Sequence, residues 1–173
     1  MLGMEYVAGA PGTAGEKFDF SAVQENTFMV DNCEIQVFVV DDASNPENTA
    51  TLARELIDVK GVKILVGTVS SGATATLQGI ALESKIPLIV APAAANDITG
   101  VNFNEYTFRT SRNNYQDAIN ECAYLTKQYK TFVQIAPDYA FGRGSAAAFR
   151  DACTLNGGTF VMDDIFAPAD TTD

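Results

Sequence analysis

The 173 residues suit one ordinary domain or two small lobes, and an apolar share of 47% is enough to build a core. With 22 acidic against 11 basic residues the net charge is −11, which argues against nucleic acid or an anionic membrane surface as partner. Histidine is absent, so triad hydrolysis and zinc chemistry lose their usual general base and ligand. No cofactor-binding signature is present, and no run approaches the length of a membrane-spanning helix.

Residues 1 to 32 carry little periodicity. Gly9, Pro11, Gly12 and Gly15 predict a turn-rich segment, and Phe18 to Val30 predicts a partial helix. No secretory signal with a basic start and an apolar centre is recognisable there; an exported protein would begin this chain after, or without, its leader. From Glu34 the run EIQVFVV predicts a strand, leading into Asp41, Asp42 and the turn formers Ser44, Asn45 and Pro46. The two aspartates follow each other on an extended chain and so point to opposite faces, which predicts turn or capping roles rather than a metal site. Asp163 and Asp164 are read in the same way. Pro46 in a first turn, Glu47 beside it, and Leu52, Ala53, Leu56 and Ile57 on one stripe predict an amphipathic helix closed by Gly61.

The stretch Lys63 to Thr76 organises the rest. A compact apolar strand to Gly67 gives way to helical spacing at Ala73, Leu77, Ile80 and Ala81. Ser70, Ser71 and Gly72 stand where the helix would begin. Free N–H groups, serine hydroxyls and a residue without a Cβ at that point predict an anion cradle at the carboxyl end of a strand, while a plain N-cap serine is the alternative. Pro87 to Ala91 predicts the next strand. The small-residue loop that follows, Ala93, Ala94 and Ala95, falls on the same sheet edge, where ligands of open α/β sheets bind.

Glu105 to Thr110 predicts an extended segment, and residues 111 to 129 a helix with Ala118, Cys122, Leu125 and Tyr129 inward. TFVQIAP then predicts a strand, DYAFGRG a glycine-punctuated turn, SAAAFRDACTLNG a helix ending at Gly157, and TFVMDDIFA a further strand. Regular alternation of strands and helices over short connections predicts an α/β fold with a doubly wound parallel sheet. The interruption at Ser111 to Asn114 predicts a first lobe over residues 1–113 and the start of a second over 114–173. Cys33, Cys122 and Cys153 are odd in number and widely spaced, which predicts neither a zinc site nor a disulfide framework; Cys122 and Cys153 are read as small buried apolar residues.

Six segments in order resemble the type I periplasmic binding proteins, and among them the branched-chain amino acid (leucine/isoleucine/valine) transporter group. They are VFVVDDASNPENTA (37–50), VGTVSSGAT (66–74), PLIVAPAAANDIT (87–99), YTFRT (106–110), DYAFGRG (138–144) and NGGTFVMDD (156–164). The resemblance implies two α/β lobes closing on a small amino acid, amide or organic acid, delivery of that ligand to a membrane ABC permease, and a periplasmic or extracytoplasmic location. It implies binding without catalysis. It further implies that Ser71, with the N–H groups of Gly72 or Ala73, binds the ligand carboxylate, and that the backbone at Ala93 and Ala94 accepts the ligand ammonium. Tyr139 or Phe141 would form an aromatic wall, and Asn114 would sit at the crossing between lobes. Ala95 stands where the family often has threonine, and PAAAND with DYAFG looks closer to relatives that take other small acids, amides or aromatic acids. Members of that family carry two full lobes, so the resemblance implies an incomplete chain. A sensory domain of the same fold is the alternative to transport. A nucleotide-dependent or hydrolytic α/β enzyme would need GxGxxG, GxxxxGK[ST] or GxSxG, and none occurs.

Overall fold

The computed structural model describes residues 25–168 and Thr171. The expected turn-rich segment around Gly9 to Gly15, and the part of the expected helix before Glu25, lie outside those residues. The chain divides into two compact units after Asp41.

In the first unit, β1 (Glu25–Val30) and β2 (Cys33–Phe38) form an antiparallel hairpin closed by Asp31 and Asn32, with Val30 opposite Cys33. Residues 25 to 30 are thus strand, correcting the expected partial helix. A two-residue loop with Asp31 at φ 53° explains why, since aspartate and asparagine tolerate the left-handed backbone such a turn uses.

In the second unit, α1 (Pro46–Asp58) starts from Asn45, whose side chain accepts from the Glu47 and Asn48 N–H groups. Asp42 has the expected turn role: its carboxylate accepts from Ser44 N–H at 2.9 Å and from the Thr49 hydroxyl at 2.7 Å. Beyond the helix, Gly61 takes φ 69° and turns the chain toward the sheet. Strands β3 (Leu65–Val66), β4 (Leu88–Val90) and β5 (Thr107–Arg109) lie side by side, all parallel, with α2 (Ser71–Ser84) as the first crossover. Leu65, Leu88 and Val90 meet Ala53 of α1 and Leu77, Ile80 and Ala81 of α2, and Ala93, Ala95 and Ile98 complete that core. Gln78, buried in α2, donates to the Ile98 and Asn102 carbonyls at 2.8 and 3.1 Å, tying the helix to the loop beyond β4.

Helices α3 (Asn114–Gln128) and α4 (Ala140–Leu155) pack on each other beside two short parallel pairs. These are β6 (Thr131–Phe132) with β8 (Thr159–Phe160), and β7 (Ile135–Pro137) with β9 (Ile165–Ala167). The two long strands expected here are therefore each broken. Four residues, 161–164, stand against two, 133–134, and the surplus leaves the ladder. Polar side chains fill the break: Asp164 accepts from Gln134 Nε2 at 2.6 Å and from Arg150 Nε at 3.0 Å. The Arg150 hydrogen bond, first among the causes, holds the Asp164 carboxyl below its ordinary range. Asp164 is thus an ion-pair partner, not the turn residue expected.

DYAFGRG differs from expectation as well. The helix begins at Ala140, so Gly142 lies inside it, and a Cβ at Gly142 would stand 2.0 Å from the Pro137 carbonyl oxygen. The glycine permits close approach of helix to strand, not a turn.

The largest correction concerns the cysteines. Cys122 and Cys153 are buried, as expected, but they are joined to each other in a disulfide that links α3 to α4. Only the folded topology sets their Cα atoms 4.8 Å apart. Their separation of 31 residues corresponds to about 3–4 kcal/mol of lost chain entropy in the unfolded state. Replacing both with serine is expected to lower the urea unfolding free energy by about that amount; an unchanged midpoint would contradict a stapling role.

Candidate functional site

Each element reaching the carboxyl edge of β3 and β4 brings one part of the site. After β3 the chain enters α2 at Ser70, which has extended backbone and caps the helix by accepting from the Ala73 N–H at 3.4 Å. Beneath it, the Thr68 and Thr74 hydroxyls lie 2.9 Å apart and each donates to the Ser70 carbonyl at 3.0 Å. This hydroxyl cluster fixes the direction in which the helix starts. The N–H groups of Ser71 and Gly72 have no partner within a helix that begins there, and no other described residue accepts from them.

Ser71 itself is 2% exposed. Its Oγ accepts the Ala95 N–H at 3.2 Å, so its hydroxyl proton remains to be donated elsewhere, and no described residue takes it. Gly72 is half-buried, and a Cβ there would meet nothing nearer than Ser70 Oγ at 3.7 Å.

After β4 the chain passes Ala93, Ala94 and Ala95, all buried, before a short 3-10 helix at Asn96–Thr99. Ala93 N–H donates to the Thr68 carbonyl at 3.2 Å. The Ala94 carbonyl accepts from Asn114 N–H, the first of α3, at 2.8 Å. One lone pair of the Ala94 oxygen is therefore engaged within the protein, and the expected ammonium acceptor at Ala94 retains the other.

Asn114 is buried and faces two ways. Its N–H reaches Ala94, and its side-chain Nδ2 donates to the Phe141 carbonyl at 3.1 Å. Asn113 before it forms a reciprocal cap with Gln116, which settles where α3 begins. Phe141 and Tyr139 stand at the start of α4 with ring centroids 6.0 Å apart, Tyr139 exposed and Phe141 half-buried. Arg143 closes that corner by donating to Asp138 at 2.6 Å.

An unbroken run of hydrogen bonds thus joins Ser71 to Ala95, Ala94 to Asn114 and Asn114 to Phe141. Within this run the peptide between Ala94 and Ala95 is held at both of its polar ends. A helix N-terminal N–H on its carbonyl polarises it, and that polarisation strengthens the donation to Ser71. In turn, an oxygen that accepts such a bond is a better O–H donor. The arrangement can present several donors to an anion at the mouth of α2. It holds no acid–base pair among the described residues named above.

Arg109 is absent from the residues expected at the site, although the structure places it beside the loop. At the end of β5 it donates Nη1 to the Ala95 carbonyl at 2.7 Å and Nη2 to the Thr99 hydroxyl. In the sequence it stood inside the segment YTFRT, with nothing local to show which carbonyl it would reach.

Comparison with known proteins gives a consistent result. The family model described as periplasmic binding protein matches residues 7–173. A Leu/Ile/Val-binding protein of Rhizobium johnstonii is 28% identical over 134 residues, 76% of this chain and 36% of its own length. A branched-chain amino acid transporter structure from Rhodopseudomonas palustris is 42% identical at a TM-score of 0.59, covering 79% of this chain and 37% of that one. A solute-binding protein of an R. palustris ABC transporter, solved with benzoate, is 33% identical at a TM-score of 0.71, covering 78% and 38%. The chain spans just over a third of the length of each of these relatives.

Removing the Ser71 hydroxyl has a defined cost before any ligand is considered. Ser71→Ala would leave the buried Ala95 N–H without its acceptor, which is expected to lower unfolding free energy by about 1–3 kcal/mol. Chemical denaturation measures this, and a midpoint equal to that of the parent would contradict the role given to the bond.

Proposed function

Because the chain belongs to the periplasmic binding protein family, we propose that it is part of a solute-binding protein that captures a small carboxylate-bearing ligand and delivers it to a membrane ABC permease. The observation that carries this reading is the junction of Ser71 with Ala95. At one sheet edge it gathers the N–H groups of Ser71 and Gly72 and the hydroxyl proton of Ser71, for which no described residue provides an acceptor. Such donors suit a carboxylate, whose oxygens accept several short bonds at once.

The relatives support the same chemistry. One is named for leucine, isoleucine and valine, and another was solved with benzoate. Those ligands share a carboxylate and little else. In this reading Ser71 and Gly72 receive the carboxylate beside the Ser70 hydroxyl, with the Ala73 N–H held on Ser70 behind them, and Ala93 to Ala95 form the opposite lip. Asn114 joins the lip to the helix bearing Tyr139 and Phe141, whose rings offer a face to the rest of the ligand. Residues 1–113 belong to one lobe and 114–173 begin the second. The protein binds without transforming its ligand and works outside the cytoplasm, as a family of periplasmic carriers requires.

Titration calorimetry with two acid and amide pairs, leucine against leucinamide and benzoate against benzamide, tests the reading. At least one acid is expected to bind, and about tenfold or more tighter than its amide, the worth of one hydrogen bond to a charged group. Equal binding of acid and amide would contradict it.

A further inference from the structure

Arg109 ends β5 opposite Val90, and alternation along the strand puts it with Thr107 on the buried face while Phe108 points the other way. A guanidinium half-buried against a sheet loses solvation, and burial lowers its pKa from the ordinary arginine value. An ion pair is the usual compensation, yet no described carboxylate lies within salt-bridge range of Arg109, whereas Arg54, Arg112, Arg143 and Arg150 each have one. Arg109 instead directs its charge onto one main-chain carbonyl, that of Ala95, and one hydroxyl, that of Thr99.

Those two acceptors are the residue that caps the 3-10 turn after the alanine loop and the last residue of that turn. Bonds to both, from one planar fork, fix that turn as a unit, which a flexible lysine ammonium does not reproduce. The peptide after Ala95 is held by Arg109, and the peptide before it by Asn114 and Ser71. With both flanking peptides hydrogen-bonded, the Ala95 N–H is directed at Ser71 Oγ.

We propose that Arg109 is a positioning residue for the anion site: through the Ala95 carbonyl and Thr99 it holds the Ala95 N–H on Ser71, and thereby keeps the Ser71 hydroxyl proton directed to the ligand. This rests on the carboxylate reading of the site. Arg109 itself touches the loop and not the ligand.

The test compares the parent with Arg109→Lys, which keeps the charge but not the fork, and with Thr99→Val, which removes one exposed acceptor and leaves the sheet untouched. Amide hydrogen exchange is read over residues 93–99 without ligand, and binding by titration with sodium benzoate and with L-leucine. In Arg109→Lys, exchange over 93–99 is expected to rise and affinity for whichever probe the parent binds to fall, each by about tenfold, with exchange in α3 and α4 unchanged. Thr99→Val is expected to move both in the same direction by less. Unchanged exchange over 93–99 in both variants overturns the positioning role and leaves the carboxylate reading standing. A rise spread evenly over the chain, or a local rise without loss of affinity, also overturns it, because Arg109 would then serve stability alone. A parent protein that binds neither probe overturns the carboxylate reading, and the ligand-directing role of Arg109 with it.

Discussion

The peptide between Ala94 and Ala95 is the constraint on which the second unit's candidate site depends. Its carbonyl receives the first N–H of α3, and its N–H reaches the Ser71 hydroxyl at the first turn of α2. One planar group thus spaces two helix starts that come from different crossovers. Because the alanines have no side chain beyond Cβ, the backbone itself can pack into the core with Leu88, Val90 and Ile98 and still bond outward. Ala93 and Ala95 are both buried, so a larger residue at either would have to displace its neighbours in that core.

That constraint also links stability to recognition. Buried main-chain groups must be paired, so the loop's hydrogen bonds are required for folding before any ligand arrives. The same bonds leave a defined remainder: the Ser71 proton and the earliest N–H groups of α2. The candidate site is what the described part of the fold does not use for itself. Its donors are already oriented, so a bound anion would meet little reorganisation.

Much of the α/β alternation was legible because local rules agree with the global fold in the second unit. The strand into Gly67, the helix from Ser70 and the strand after Pro87 appear where their patterns put them, within a residue or two. Several features escaped, three of them for reasons that no local window could show. Glu25 to Val30 is too mixed for a clear period, and the Asp31 and Asn32 turn that organises it reads as any polar pair. The breaks between β6 and β7 and between β8 and β9 come from unequal spacing of two distant segments, which no local window contains. The disulfide depends on two helices lying together, and an odd cysteine count concealed it. At the site the residue types were readable and their partners were not. Ser71 reads as a ligand donor, whereas its acceptor role toward Ala95 exists only once the loop has folded back, and Arg109 gains meaning only from the carbonyl it reaches.

Amide chemical-shift mapping during a titration with sodium benzoate or L-leucine addresses the central claim most directly. If the opening of α2 receives an anion, the largest shifts are expected at the N–H groups of Ser71, Gly72 and Ala73, with Ala95 following through its bond to Ser71. Saturable shifts confined to the surface around Arg150 and Asp164, with the first turn of α2 unmoved, would contradict it.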